Sequence, residues 1–257
     1  MQRELFMNRH LFSISILMSF FLFTGMTTEP NPVDIVRKAN DLLRFTTSEA
    51  ELDIQIIRPR WQKSMSMKTW TKGTDYAMTL ITAPAKEAGT VYLKKKNELW
   101  NWLPKVKKTI KLPGSMLGQN FMGTDLTASD VWSNSNIESE FDHKLIGKEM
   151  QGGQMCYKIE SVTHEDSDII WGKIISWIDV KNFIQMKVEF YDEDMDLANT
   201  FLASQVKNMA GKMRATKLEV IPANKKGQKT IVSYRSLKVD HAIPTEFFTV
   251  ENMKKVN

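Results

Sequence analysis

Beyond a single opening helix, this chain alternates apolar and polar residues with a period of two, and that pattern leaves few folds open to it. Leu52, Ile54 and Ile56 share one face of a strand that Pro59 ends. Trp61, Lys63, Met65, Met67 and, after one slip of face, Trp70 mark a second strand, and Gly73 turns the chain. Tyr76, Met78 and Leu80 form one face of a third. Val91–Leu93, Leu99–Leu103 and Val106–Leu112 predict three short strands, with Asn97 turning between the first two. From Glu140 the meander resumes, with strands over Ile169–Ile178, Phe183–Tyr191, Leu197–Val206, Met213–Ile221 and Thr230–Val239. Turns rich in Gly, Asp or Asn separate them, including Gln151–Gly153, Asp179–Asn182, Asp192–Asp194, Ala210–Gly211 and Asn224–Gly227. The total is roughly eleven to thirteen strands with almost no helices between them, which predicts one strongly curved antiparallel sheet. Repeats and linkers are absent, so one domain is expected.

Three segments depart from the alternation. Pro32 opens a helix, with Val33, Val36, Asn40 and Leu43 at helical spacing, Ile35, Ala39 and Leu42 beside them, and Asn31 as its cap. Pro113 to Trp132 is punctuated by Gly114, Gly118 and Gly123, with bulk from Met116, Leu117, Phe121 and Met122. Here Thr124 or Asp125 is expected to cap a short helix running towards Trp132. Pro244–Phe248 reads as a short terminal helix or tight turn.

The first residues have the layout of a secretory leader. Arg3, Arg9 and His10 make a basic start, Leu11 to Phe23 is apolar, and small residues follow before Glu29 and Pro30. The apolar run is short for a membrane span. A leader over 1–27, a folded domain over 28–257 and a periplasmic location are therefore expected. Cys156 is the only cysteine, so no internal disulfide forms and the thiol reads as a small buried hydrophobe. The net charge is +5 and falls by one if the leader is lost. Lysines gather at Lys94–Lys96, at Lys105, Lys107, Lys108 and Lys111, and at Lys225, Lys226 and Lys229. They suit an anionic membrane surface or plain solvated turns. Nucleic acid is a poor partner for an exported protein.

Nothing in the sequence assembles a reaction centre. His143, His164 and His241 stand singly. The acidic runs at His164–Asp168 and Asp192–Asp196 are consecutive residues of turns, whose side chains diverge instead of converging on a metal. No nucleophile elbow, phosphate loop or paired zinc-ligand motif occurs. No cofactor, no metal site and no catalysis are expected. What the chain has instead is apolar surplus. Trp61, Trp70, Trp100, Trp102, Trp132, Trp171 and Trp177, with Met65, Met67, Met78, Leu80, Met116, Leu117, Phe121 and Met122, are the candidate walls and gate of a hydrophobic cavity. Methionine is flexible and polarizable, which suits disordered alkyl chains.

The Trp102-Leu103-Pro104-Lys105-Val106-Lys107-Lys108 run, the Phe121-Met122-Gly123-Thr124-Asp125-Leu126-Thr127 loop and the late Lys217–Val220 strand resemble the outer-membrane lipoprotein-sorting proteins of the LolA/LolB-like superfamily. The resemblance implies a half-open antiparallel barrel with helices over its opening. It also implies a cavity for the acyl chains of lipoproteins or other lipids, and a soluble, monomeric shuttle between an inner-membrane transporter donor and an outer-membrane acceptor, touching membranes transiently. Sorting carriers use a strand arginine that bonds to the lid, yet neither Arg58 nor Arg60 sits in a matching pattern. The acylated N-terminal cysteine of LolB-type relatives is lacking. The segment from Pro113 to Met122 is the expected gate. An envelope sensor or regulatory interaction module of the same fold is the alternative.

Overall fold

The computed structural model describes residues 29–127, 137–164, 167 and 169–256. Helix α1 spans Pro32–Asp41, where the Asn31 side chain accepts from the Val33 amide at 2.9 Å and Pro32 occupies the first turn. Its buried face is Ile35, Val36, Ala39 and Asn40, so the apolar stripe lies one position round from the predicted one. Val33 is exposed, and Leu43 falls beyond the helix end and is exposed too.

Among the described residues thirteen strands follow: β1 (Thr47–Arg58), β2 (Trp61–Lys72), β3 (Tyr76–Ala83), β4 (Val91–Lys95), β5 (Glu98–Leu103), β6 (Lys108–Leu112), β7 (Phe141–Gln151), β8 (Gln154–Thr163), β9 (Lys173–Asp179), β10 (Gln185–Tyr191), β11 (Leu197–Met209), β12 (Lys212–Pro222) and β13 (Lys229–Val239). A short helix, α2 (Ile137–Glu140), precedes β7. They form one antiparallel sheet in the order β6-β5-β4-β3-β2-β1-β13-β12-β11-β10-β9-β8-β7. Because β1 bonds to β13, the first and last strands meet in the middle, and β6 and β7 are left as edges of a barrel that does not close. Register shifts at Glu51/Leu52, Ser66/Met67, Leu145/Gly147 and Phe190/Tyr191 add the local twist that curls so wide a sheet.

Two strand starts differ from the alternation. Pro104–Val106 forms a 3-10 turn and Lys107 takes a left-handed conformation at φ 48°, so β6 begins at Lys108, not Val106. Pro104 cannot donate to a ladder, which ends β5 there. Strand β9 begins at Lys173, because Ile169 and Trp171 pack against Phe141, Ile174 and Val188 from the preceding turn.

Both faces of the sheet are covered, by different segments. Cross-strand neighbours Ile56, Thr230, Val220, Phe201, Val188, Ser176 and Ile159 run in one row along the inner face. At one end of the row α1 packs on Ile159 and Ile178. At the other, Phe121 and Leu126 of the post-β6 loop pack on Ile54, Ile56, Met65 and Met67. The outer face of β2–β5 is covered by the C-terminal segment, whose Ile243, Phe248 and Met253 bury Trp70, Met78, Leu80, Val91 and Leu93.

Cys156 is fully buried beside Trp177, Ile184 and Met186. Burial first, then the nearby Asp179 and Glu149 charges, push its thiol up to about 11. A thiol so buried and so weakly acidic is inert. With Ellman's reagent at neutral pH the native protein is expected to release no thiolate signal, and the denatured protein one equivalent.

Candidate functional site

The site is the inner face and the loop that lies across it. Strand β6 ends at Leu112, paired with Leu99 at the far end of the sheet, and the chain then returns over the inner face. The loop turns through two 3-10 segments, Gly114–Gly118 and Phe121–Gly123. Met122 and Gly123 are both left-handed, at φ 51° and 83°. Two consecutive residues there reverse the chain sharply, and only glycine adopts the conformation without strain. Phe121 meets the Tyr92 ring at 5.2 Å, edge to face. Thr124 donates to the Phe121 carbonyl at 2.7 Å and accepts from the Leu126 amide at 3.2 Å, so the turn satisfies its own polar groups.

An arginine from β1 fastens this loop. Arg58 donates to Asp125 Oδ2 at 2.9 Å and to the Gly123 carbonyl at 2.8 Å. Thr230 of β13 donates to the same carboxylate oxygen at 2.8 Å, and its hydroxyl accepts from the Asp125 amide at 2.9 Å. The Arg58 and Asp125 side chains are 10 and 3% exposed. Asp125 is therefore a clasp between loop and sheet, not the helix cap its position suggested. The helix expected towards Trp132 lies outside the described residues.

A second strand arginine fastens α1. Arg214 of β12 donates to the Leu42 carbonyl just past the helix, donates from Nε to the Met209 carbonyl at 3.1 Å, and lies over the Phe45 ring at 4.9 Å. Burial pulls its pKa below the ordinary guanidinium value. Between the two fastened covers run β10 to β13 and the neighbouring part of β1, where Leu52, Phe201 and Leu218 are only partly buried. Tyr234 stands there opposite Leu52 with 39% of its surface open. Desolvation nonetheless raises its pKa above the usual phenol value, with Arg214 pulling the other way. These residues line the strip of inner face left between the two covers, the trough of the half-barrel.

The predicted cavity residues do not converge. Met65 and Met67, each 1% exposed, meet Phe121 and Met122 on the inner face. Trp70, Met78, Leu80, Trp100 and Trp102 lie on the outer face beneath the C-terminal segment. Alternation explains the split, since Met67 pairs with Ile81 while Trp70 pairs with Met78. Trp171 packs at a tilt against Phe190, which touches Phe201, further along the inner face. Trp177 is buried by Cys156, with Lys158 and Lys187 over its ring and its indole nitrogen donating to Glu149. Trp61 is half exposed at a strand tip, with the Arg58 guanidinium 5.8 Å from its ring. Met116 is half-buried in the loop, and the Leu117 side chain and Trp132 lie outside the described residues. The acidic turn at Asp192 is closed by its own backbone, the Asp194 and Asp196 amides both donating to Asp192 Oδ1. Two clefts, of about 280 and 460 Å³, sit at the β8–β9 turn by Trp171 and along β7 by Ile146. The inner face of β1–β5 is filled by the chain's own loop.

Sequence reasoning missed Asp125, Thr230, Arg214 and the trough residues Leu52, Phe201, Leu218 and Tyr234. Arg58 stood out by charge at a strand end, but nothing local pointed to a partner 67 residues away.

A broad open sheet with one helix and one clasped loop across its inner face is the LolA-like half-barrel. A family model described as an uncharacterized protein matches residues 73–255, and the chain belongs to that family. A LolA superfamily protein from Nitrosomonas europaea is 25% identical, with 86% of this chain and 99% of that one covered and a TM-score of 0.69. A DUF1329 family protein from Desulfovibrio piger is 22% identical over 87% of this chain and all of its own, at a TM-score of 0.76. A protein described as an outer membrane lipoprotein-sorting protein domain, from Vibrio parahaemolyticus, is 19% identical over 87 and 98% of the two chains, at 0.73. Among curated proteins, no significant sequence match is found. No helix among the described residues is long and apolar enough to cross a membrane.

Proposed function

We propose that this protein is a non-catalytic periplasmic carrier, exported by a leader over 1–27. Its folded part, 28–257, holds the acyl chains of lipoproteins or other lipids while they pass from an inner-membrane donor to an outer-membrane acceptor. The observation that carries the reading is the Phe121–Leu126 segment, which covers an apolar sheet face yet is joined to it by side-chain clasps and not by strand pairing. Phe121 and Leu126 occupy the place an acyl chain would take.

The energies favour such an exchange. Withdrawing two buried apolar side chains costs about 3–6 kcal/mol, whereas each methylene buried in their place returns about 0.8 kcal/mol. A chain burying roughly eight methylenes therefore offsets the loss. Met65 and Met67 below, with Leu52, Leu218 and Phe201 beside them, offer adaptable walls. Tyr234, 39% exposed beside the trough, supplies a polar group for a cargo's head.

Organic extraction of the purified mature protein, followed by mass spectrometry, is expected to yield lipid at near-equal molar ratio. A fluorescent fatty acid is expected to bind and to be competed away by that lipid. An empty protein that ignores the probe would sink the carrier reading. Within it, Gly123→Ala, which strains the left-handed turn of the closed loop at φ 83°, is expected to speed probe loading more than Gly118→Ala, where no positive φ is imposed on the new side chain.

A further inference from the structure

We infer that the basic end of the half-barrel, carrying Trp61 and Val106, is a docking surface for an anionic lipid bilayer. The inference names where the proposed carrier meets a membrane; it leans on that reading for its purpose, while the binding itself stands on the surface alone.

Antiparallel pairing brings the β1–β2, β3–β4, β5–β6 and β12–β13 turns to one end of the sheet. They touch. A methyl on Gly89 would sit 3.1 Å from Pro104, one on Gly227 would sit 3.7 Å from Pro59, and Lys63 pairs with Glu87 at 2.8 Å. Lysine clusters more than a hundred residues apart in sequence thus become one surface. Arg60, Lys86, Lys105, Lys107, Lys108, Lys225 and Lys226 are all exposed there. Glu87, the acidic residue of these turns, is occupied by Lys63.

Two apolar side chains project from this charge. Trp61 is 51% exposed and Val106 is 65% exposed, each at the tip of its turn. A lone charged turn needs no partner, but tryptophan among cations is the composition that sits at a bilayer headgroup level. The same end of the sheet is acidic on its other half, at Asp192, Glu193, Asp194 and Asp196 of the β10–β11 turn. An anionic surface therefore attracts the half that bears the loop clasp and repels the other. Trp61 lies over Arg58, the residue that holds the loop, so the docked face is also the face where the cover is fastened.

The test is flotation of the mature protein with phosphatidylethanolamine/phosphatidylglycerol vesicles and with pure phosphatidylcholine vesicles, at low and high salt. Partition is expected to be at least about tenfold greater on the anionic vesicles and to fall with salt. Trp61→Ala and the pair Lys107→Glu with Lys108→Glu are each expected to lower it about tenfold. Lys181→Glu with Lys212→Glu, the same charge change at the opposite end, is expected to leave it near the wild-type level. Equal binding to both vesicle types would overturn the inference, as would equal losses from the two lysine pairs, the mark of net charge alone. Capture of an acidic protein without vesicle binding would overturn it too. Thermal melts confirm that the variants are folded, and the fatty-acid probe is read in parallel. Vesicle binding with no probe binding defeats the carrier reading and leaves this one standing; the reverse defeats this one only.

Discussion

Replacing Arg58 with alanine is expected to cost about 3–5 kcal/mol of stability and, at the same time, to speed entry of an acyl probe. The stability loss follows from burial. Breaking a buried pair leaves Asp125, 3% exposed, as an uncompensated charge, which is the expensive way to lose a salt bridge. The second effect distinguishes a clasp from a mere structural pair. Arg58 bonds both the Asp125 carboxylate and the Gly123 carbonyl, so its removal frees the loop at two points while Thr230 retains one. Urea denaturation measures the first effect and stopped-flow probe fluorescence the second. Asp125→Asn keeps the Thr230 hydrogen bond and removes the charge, so it is expected to lose less stability than Arg58→Ala yet load faster than wild type. Slower or unchanged loading in both variants would show that the loop does not gate the inner face.

A loss of similar size is expected on the other side of the sheet, with no effect on loading. Phe248 is fully buried between the C-terminal segment and β3–β5, with the Tyr76 and Phe247 rings 5.6 and 5.3 Å away. Phe248→Ala is expected to cost about 3–5 kcal/mol through lost transfer energy and the cavity left behind. For a domain of this size that lowers the melting temperature by roughly 6–20 °C. The C-terminal segment is held mainly by such contacts, so its loosening uncovers Trp70, Met78 and Leu80, and aggregation on heating is the expected symptom. Probe-loading rates at a temperature where the variant is folded are expected to match wild type, because Phe248 faces away from the trough. The two variants together separate stability from gating: both weaken the fold, and one alone speeds entry.

Much of the architecture was legible in the residues because strand alternation is local. Leu52, Ile54 and Ile56 announce β1, Pro59 and Gly73 bracket β2, and Asn31 with Pro32 opens α1, each through contacts within a few positions. One failure was local, and the others came where the determining partner is distant. Val106 looked like a strand residue and is a turn tip, since Pro104 ends the ladder two positions earlier. Asp125 looked like a cap, and its carboxylate is claimed by Arg58 and Thr230 from other strands. The tryptophans and methionines looked like one greasy set, although β2 and β3 send them to opposite faces that are both covered.

The sequence alone determined that this chain is a long antiparallel meander with one opening helix, because period, turn residues and caps act between near neighbours. Tertiary structure alone decided which apolar face stays inside the half-barrel, which loop covers it, and which arginine holds that loop. It also decided that lysines from the β5–β6 and β12–β13 turns share one end. Those outcomes depend on β1 pairing with β13 across nearly the whole length of the chain, and no local pattern encodes a register between strands so far apart.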